Sequence, residues 1–144
     1  MKIVNFIINV VILVTLLSCS SDSTDDVPQT ITPANVQTNA TAGSWRITLY
    51  MDDNKNETSD YNGYVFTFNI NGSATAVKNS VSKTGSWTSF MDDGKVKFLI
   101  NFGGLPPLDE ISDDWDVVKL TGNKIMLEDT SSDGSEDFLT FEKN

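Results

Sequence analysis

Apolar and polar side chains alternate along several short stretches of the chain beyond residue 42. In the clearest stretch, Val96–Phe102, every second residue is large and apolar. A strand places successive side chains on opposite faces, so each stretch predicts a β-strand with one buried face. Eight strands are predicted in this way, at residues 45–51, 64–70, 73–79, 84–90, 96–102, 115–120, 124–128 and 137–142.

Short connections rich in glycine, asparagine and aspartate separate the predicted strands. Asn71-Gly72, between the second and third strands, is the dipeptide that a two-residue type I′ hairpin favours. Similar turn residues follow at Asp92-Asp93-Gly94, Gly122-Asn123 and Asp133-Gly134. Short connectors make neighbouring strands antiparallel, and closing the sheet hides their apolar faces most economically. The predicted fold class is therefore all-β, an eight-stranded antiparallel up-and-down meander barrel.

The alternation also predicts which side chains face the barrel interior. In the first strand it places Leu49 and Met51 inside and Tyr50 outside, and it places Ile70 inside at the end of the second strand. Six large aromatic residues are candidate interior, ligand-facing positions: Trp45, Phe66, Phe68, Trp87, Phe98 and Phe102. A packed core is the alternative, because an eight-stranded barrel is only just wide enough for its own side chains or one small ligand.

The connection between the fifth and sixth strands, residues 103–114, is longer than the others and contains two prolines followed by acids. Pro107 suits the first position of a helical turn, so one short turn is predicted near residues 107–112. Leu108 and Ile111 are three residues apart and would face the same way. Two interpretations stay open: a plug that closes one barrel end, or a lid over a ligand mouth.

The residues before the predicted domain have a different character. Met1-Lys2 is followed by the mostly apolar stretch Ile3–Leu17, which is too short for a membrane-spanning helix of roughly 20 apolar residues. Residues 1–18 are therefore predicted to be a secretory signal peptide. Residues 19–42 are polar without an apolar period, and they predict a disordered tether whose last few residues pack on the domain, residues 43–144.

Leu16-Leu17-Ser18-Cys19 resembles the lipobox of bacterial lipoproteins. The acidic Ser/Asp tract that follows resembles the export signals of surface-exposed lipoproteins of Bacteroidota, and Asp22-Ser23-Thr24 resembles a short O-glycosylation sequon of the same bacteria. The resemblance implies cleavage before Cys19, acylation of that residue, and anchoring in the outer membrane with the domain facing outward. Several acyl chains give stable attachment, and a lone cysteine forms no internal disulfide.

Gly43-Ser44-Trp45 resembles the opening of the lipocalin-like domains found in many Bacteroidota lipoproteins. Gly85-Ser86-Trp87 repeats the tripeptide, and with Trp115 the likeness covers most of residues 43–144. The resemblance implies that Trp45 packs across a closed barrel base and that the barrel holds a small apolar molecule. The disulfide and the basic residue pattern of secreted animal lipocalins are missing from this sequence.

Charge and composition exclude several classes of function. The chain carries 20 Asp+Glu against 10 Lys+Arg, a net charge of −10. Nucleic acid would be repelled by such a surface, whereas a basic partner or a cation would be attracted. With no histidine and no nucleophile motif, neither an enzyme nor a cofactor is expected.

Asp52, Asn54 and Asn56 alternate like the first three ligands of a calcium loop. Glu57 stands where such a loop requires glycine, and Gly63 stands where it requires a bidentate glutamate. A solvated acidic hairpin is therefore the alternative, and no metal is predicted. The remaining acidic pairs are predicted to be turn and cap residues: Asp92-Asp93, Asp113-Asp114 and Asp129 with Asp133.

Two functions are compatible with these observations. The first is a surface lipoprotein whose barrel binds a small apolar molecule. The second is a non-enzymatic interaction or inhibitor module whose acidic loops engage a basic protein partner. A monomer, attached to the membrane through its lipid anchor alone, is expected in both cases.

Overall fold

The computed structural model describes residues 26–131 and 134–144. The signal peptide, Cys19, the possible sequon Asp22-Ser23-Thr24 and the turn residue Asp133 lie outside the described residues, so the interpretations that rest on them stay predictions.

The described residues form one helix and nine strands. Helix α1 spans Pro33–Ala40, and the strands are β1 (Ser44–Asp52), β2 (Lys55–Asn56), β3 (Val65–Phe68), β4 (Ser73–Lys78), β5 (Val81–Asp92), β6 (Lys95–Asn101), β7 (Asp114–Leu120), β8 (Lys124–Thr130) and β9 (Glu136–Lys143). Apart from the two-residue β2, which extends the first hairpin, the strands follow one another in an antiparallel sheet that β1 and β9 close. The predicted eight-stranded up-and-down barrel is confirmed.

Two-residue turns join several neighbouring strands. Asp53-Asn54 and Asn79-Ser80 have positive φ at both central residues, as a type I′ hairpin requires. Asn71-Gly72 differs from its prediction, because only Gly72 has a positive φ, 83°. Strand β3 ends early, at Phe68, and a four-residue connection closed by a hydrogen bond from Gly72 N to Asn69 O (2.9 Å) replaces the tight turn.

The barrel has two ends with different closures. The helix end comprises α1 and the β3–β4, β5–β6 and β7–β8 turns. The loop end comprises the β1–β2 and β8–β9 turns, a 3-10 turn at Thr58–Tyr61, and the connection between β6 and β7.

Helix α1 closes the helix end. Thr32 caps it by accepting a hydrogen bond from Asn35 N (3.1 Å), and Pro33 occupies the first turn. Val36 and Ala40 are completely buried, and Trp45 Nε1 donates to Ala40 O at 2.8 Å. Residues 33–40 thus pack on the domain, as predicted for the last residues of the tether, but they form a helix that the prediction did not include. A helix of eight residues with two buried apolar side chains is too short to produce a periodic pattern.

The six candidate aromatic residues all lie in the hydrophobic core, none more than 4% exposed. Phe68 contacts Phe98 and Trp87 at ring-centroid distances of 5.2 and 5.3 Å, and it meets Phe141 edge-on at 5.5 Å. Such offset and edge-to-face contacts are typical of tightly packed aromatic cores. The barrel interior is therefore lined by side chains that pack against one another.

Gly85 allows the ring of Phe102 and the backbone of Asn101 to pack directly against its own backbone. A Cβ atom at this position would lie 2.3 Å from Asn101 O and 2.7 Å from the ring of Phe102. The glycine of the repeated Gly-Ser-Trp tripeptide therefore makes room for an aromatic ring from the neighbouring strand, a common reason for glycine inside a strand.

Two predictions about inward-facing residues are wrong. The pairing of β1 with β9 shifts register between Ile47 and Leu49, so the alternation reverses there and Tyr50 is buried at 3% exposure. Leu49 and Met51 are only half-buried as a result. Ile70 is 70% exposed, because it lies in the turn beyond the end of β3.

Candidate functional site

Three aromatic side chains hold the long connection at the loop end. Tyr50 and Tyr61 donate their hydroxyl hydrogens to Glu110 O (3.0 Å) and Pro107 O (2.8 Å), and Trp115 Nε1 donates to Ile111 O (3.0 Å). The rings also contact one another, with Tyr50 5.3 Å from Tyr61 and 6.4 Å from Trp115. The connection is therefore bonded through its backbone carbonyls to the barrel wall.

This connection also fills the loop end with apolar side chains. Leu108 and Ile111 are 1% and 0% exposed and belong to the core. Asp109 N donates to Leu105 O at 3.3 Å, which is one helical turn, beginning two residues before the predicted range. The arrangement is that of a plug.

Burial raises the pKa of both tyrosines above the ordinary value, and neighbouring charges contribute in the same direction. Tyr50 is affected by Asp52 and Glu110, and Tyr61 by Tyr50 and Glu110. Since a raised pKa keeps the hydroxyls protonated, both remain hydrogen-bond donors to the loop even at the pH where an ordinary tyrosine, with a pKa of 10.0, is half ionised.

Acidic side chains surround this plug. We call them the acidic rim, which comprises Asp52, Asp53, Glu57, Asp60, Asp109, Glu110 and Asp137. Burial, followed by repulsion from Asp137 and Asp53, raises the pKa of Asp52. Burial, followed by repulsion from Glu57 and Asp109, raises the pKa of Glu110. The rim is a concentrated negative field, relieved at one point by the ion pair between Lys55 and Glu57.

Three rim carboxylates could hold a cation. Oxygen atoms of Asp52, Asp53 and Asp137 lie within 4.8 Å of one another, and Asp137 Oδ1 already accepts a hydrogen bond from Asp53 N at 2.9 Å. Asn54 occupies the hairpin turn, and Asn56 Oδ1 accepts from Thr58 N at 3.1 Å. Of the predicted calcium set, Asp52 alone belongs to this group, since turn formation uses the two asparagines.

Two of the other predicted acidic pairs serve local structure, whereas the pair of Asp129 with Asp133 stays a prediction. Asp113 Oδ1 accepts from Asp114 N at 2.7 Å just where β7 begins, and burial raises the pKa of Asp113. Asp92 ends β5 and Asp93 occupies the following turn with φ 45°.

A groove of about 320 Å³ lies on a different part of the barrel, where β6 and β7 separate. We call it the seam groove; it is lined by Ile31, Met91, Gly94, Lys95, Val96, Asp116, Val117, Val118 and Glu128. The two strands pair only through residues 97–99 and 114–116. Toward the helix end the segment before α1 bonds to the end of β7 instead, with Gln29 N donating to Leu120 O at 2.8 Å.

The charges around the seam groove are unequally satisfied. Lys95 Nζ and Lys97 Nζ lie 2.5 and 2.7 Å from the carboxylate of Asp116. Burial opposes ionisation of Asp116, but the two lysines outweigh it and lower the pKa of this carboxyl. Glu128 lies directly opposite Asp116 across the β7–β8 pair, and its carboxylate has no ion-pair partner among the residues that the structure describes.

Sequence reasoning missed several residues that build these surfaces. Tyr50 was assigned to the wrong face because a bulge leaves no mark in the alternation, and Tyr61 lies outside every predicted strand. Trp115 and Asp137 lie in predicted strands. The sequence does not show that Asp137 is close to Asp52, because that proximity depends on the pairing of β1 with β9.

No protein-family model matches this chain, and no curated protein matches it. The chain is similar in structure to a DUF4847 family protein from Bacteroides vulgatus, known from a crystal structure. The TM-score is 0.52 at 15% sequence identity, and the match covers 76% of this chain and 97% of the other. At this identity the likeness shows the fold alone, and it is consistent with a Bacteroidota barrel protein.

Within residues 26–131 and 134–144, no helix has both the length and the apolar character needed to cross a membrane.

Proposed function

We propose that this protein is a lipid-anchored surface lipoprotein whose barrel is a non-enzymatic protein-binding module, and that its acidic rim engages a basic protein partner. The observation that carries the proposal is the difference between the inside and the outside of the barrel. The interior is lined by mutually packed aromatic rings, whereas the loop end presents seven carboxylates around a bonded plug. Recognition on the outer surface therefore fits the molecule better than recognition inside it.

The position of the rim supports an outward-facing role. The chain enters the barrel through α1 at the helix end, and the rim lies at the opposite end. Gln29 is bonded to Leu120, so residues 20–28 separate an acylated Cys19 from the barrel, and they would reach roughly 30 Å when extended. An anchor of this kind leaves the loop end free to face away from the membrane, where negative potential accelerates and orients the approach of a basic surface.

The test is an affinity pull-down from the protein's own host. It compares the partner proteins that the wild type, a rim variant and a matched control retain. The rim variant carries Glu57→Gln, Asp60→Asn and Glu110→Gln. The matched control carries Asp26→Asn, Asp92→Asn and Asp93→Asn, which remove the same charge at exposed positions outside the rim. A basic protein should be retained by the wild type and the control at low salt, and lost from the rim variant and at high salt. Equal retention by the rim variant would refute the proposal.

The second candidate is a small apolar molecule held inside the barrel. One observation favours it: Trp45 lies across the helix end beneath α1, in the position that the lipocalin-like resemblance implies. Native mass spectrometry of the protein isolated from its host decides between the two. A stoichiometric added mass lost on denaturation would support the carrier, whereas the mass of the covalently acylated chain alone would support the protein-binding module.

A further inference from the structure

The seam groove is a natural consequence of how β6 and β7 pair. Only three residue pairs join these strands, and the β7–β8 register shifts between Val117 and Lys119. A bulge increases local twist and bends the strand. Beyond Asp116, β7 therefore turns away from β6 toward the helix end, and the opening exposes part of the apolar layer between the strands.

The groove has an apolar floor and two exposed apolar walls. Val96 and Val117 form the floor and are 5% and 7% exposed. Met91 and Val118 stand on opposite sides and are 60% and 46% exposed. Its volume of about 320 Å³ is at the lower end of the range for small-molecule sites, which is roughly 300–1,000 Å³. An occupant with a slender apolar body would cover these exposed walls.

The polar lining decides the charge of the occupant. Lys95 and Lys97 already contact Asp116, so their positive charge is neutralised within the wall. Glu128 is half-buried, lines the same groove and has no ion-pair partner among the described residues. Asp114 and Asp129 add further negative charge beside Lys97. The unmet electrostatic requirement of the groove is therefore for a cation next to Glu128.

We propose that the seam groove binds an amphipathic cation, a small molecule with a slender apolar body and one ammonium group that pairs with Glu128. The body lies along Val96, Val117 and the side chains of Met91 and Val118. This site is separate from the acidic rim and from the barrel interior, so it goes beyond the proposed function and does not depend on it.

The experiment uses three probes with the same eight-carbon chain and different head groups: octylamine, octanoate and octanol. Each is titrated into the protein, at concentrations below micelle formation, while methyl NMR signals of Val96, Val117 and Val118 are followed. Octylamine should shift these signals saturably. It should bind more tightly than octanol, and octanoate should bind most weakly.

Two variants and a control locate the interaction. Glu128→Gln should weaken the binding of octylamine by roughly tenfold, the size expected for one charge-assisted contact. The affinity for octanol should not change. Glu136→Gln removes the same charge from the start of β9 and should change none of the three affinities. Val118→Ala should weaken octylamine and octanol alike, because it shortens an apolar wall that both chains contact.

Three results would overturn the inference. One is saturable binding of octanoate at least as tight as that of octylamine, which would make Lys95 the anchoring group. Another is an equal loss of octylamine affinity in Glu128→Gln and Glu136→Gln, which would mean that the preference for a cation comes from the net charge of the protein. The third is unshifted Val96 and Val117 methyl signals with all three probes. None of these results bears on protein binding at the acidic rim.

Discussion

The two ends of the barrel are both closed, but by different physical means. At the helix end a single helix of eight residues inserts Val36 and Ala40, and among the described residues one side-chain hydrogen bond, from Trp45, joins this helix to a strand. At the loop end an internal connection inserts Leu108 and Ile111, and three aromatic donors bond its carbonyls.

This difference shows how a barrel can carry concentrated charge at one end. The loop end uses its aromatic hydroxyl and indole groups to hold backbone carbonyls, which leaves Glu110 of the same connection exposed to solvent. The helix end, held by fewer polar contacts and continuous with the N-terminal segment, should open first. Local opening follows the density of such contacts rather than the overall stability.

Truncating the buried tryptophan at either end of the barrel should lower the stability of the protein most. Trp45→Ala and Trp115→Ala each remove a large buried side chain, and each should lower the free energy of unfolding by about 3–5 kcal/mol. Denaturant titration measures this loss. Amide hydrogen exchange then separates the two variants: Trp45→Ala should release residues 33–40, and Trp115→Ala should release residues 105–112. The same exchange pattern in both would contradict independent closures.

Removing the two tyrosine hydroxyls should have a smaller effect, confined to the loop end. The double variant Tyr50→Phe/Tyr61→Phe leaves the carbonyls of Glu110 and Pro107 without these donors and should cost about 1–3 kcal/mol. Faster amide exchange should appear in residues 105–112 and leave α1 unchanged. Tyr64→Phe is the control, since its hydroxyl takes no part in holding the loop; an equal loss there would argue against the assigned hydrogen bonds.

Removing the cap of α1 should act on the helix end alone. Thr32→Ala deletes the side-chain oxygen that accepts from Asn35 N, and should cost about 1 kcal/mol of unfolding free energy. Exchange should accelerate in residues 33–40 only. Thr38→Ala, in the exposed middle of the same helix, should leave stability nearly unchanged. Accelerated exchange in residues 105–112 of Thr32→Ala would show that the ends are coupled.

The smallest change in stability should come from a change of pH. Asp52 and Glu110 have pKa values raised above the ordinary 3.8 and 4.5, so the folded state binds their protons more tightly than the unfolded state. Their contribution to stability is therefore present below those ordinary values and is lost as pH rises through the raised pKa values. Asp116 acts in the opposite sense, because its lowered pKa removes stability as the pH falls below 3.8.

Thermal melts from pH 4.5, the ordinary value for Glu110, to about pH 7 follow the loss of this contribution, to which the raised pKa of Asp113 also adds. Over this interval Glu110→Gln should show a shallower decline in stability than the wild type. Glu136→Gln should follow the wild-type profile. A decline as steep in Glu110→Gln as in the wild type would show that Glu110 is not a source of the pH response.

Much of the barrel was predictable because alternation is a local property. All eight predicted strands are present, and the fifth, predicted at 96–102, was found at Lys95–Asn101. The errors occur where one extra residue reverses the alternation of inward and outward side chains. The register shift after Ile47 places Tyr50 in the core. Helix α1 escaped prediction because its stability comes from packing Val36 and Ala40 onto a core that only the finished barrel provides.

The functional surfaces were less predictable for a related reason. The acids of the rim were visible individually, but Asp52 and Asp137 are 85 residues apart and become neighbours only because β1 pairs with β9. The seam groove depends on a loss of pairing between β6 and β7, which leaves no trace in composition or spacing.

The closing pair of strands brings the two limits of the barrel together. Asn144 N donates to Ser44 O at 3.1 Å, so the first and last residues of the closed sheet are bonded neighbours at the helix end. The segment before α1 lies at the same end, where Gln29 N donates to Leu120 O, so a peptide linker could join Asn144 to that segment and keep α1 in place. New termini could be opened in the exposed turn at Asn79-Ser80. Such a circular permutant would keep every strand pairing while moving the point of attachment to the opposite end. It would thereby present the helix end, instead of the acidic rim, to the surroundings.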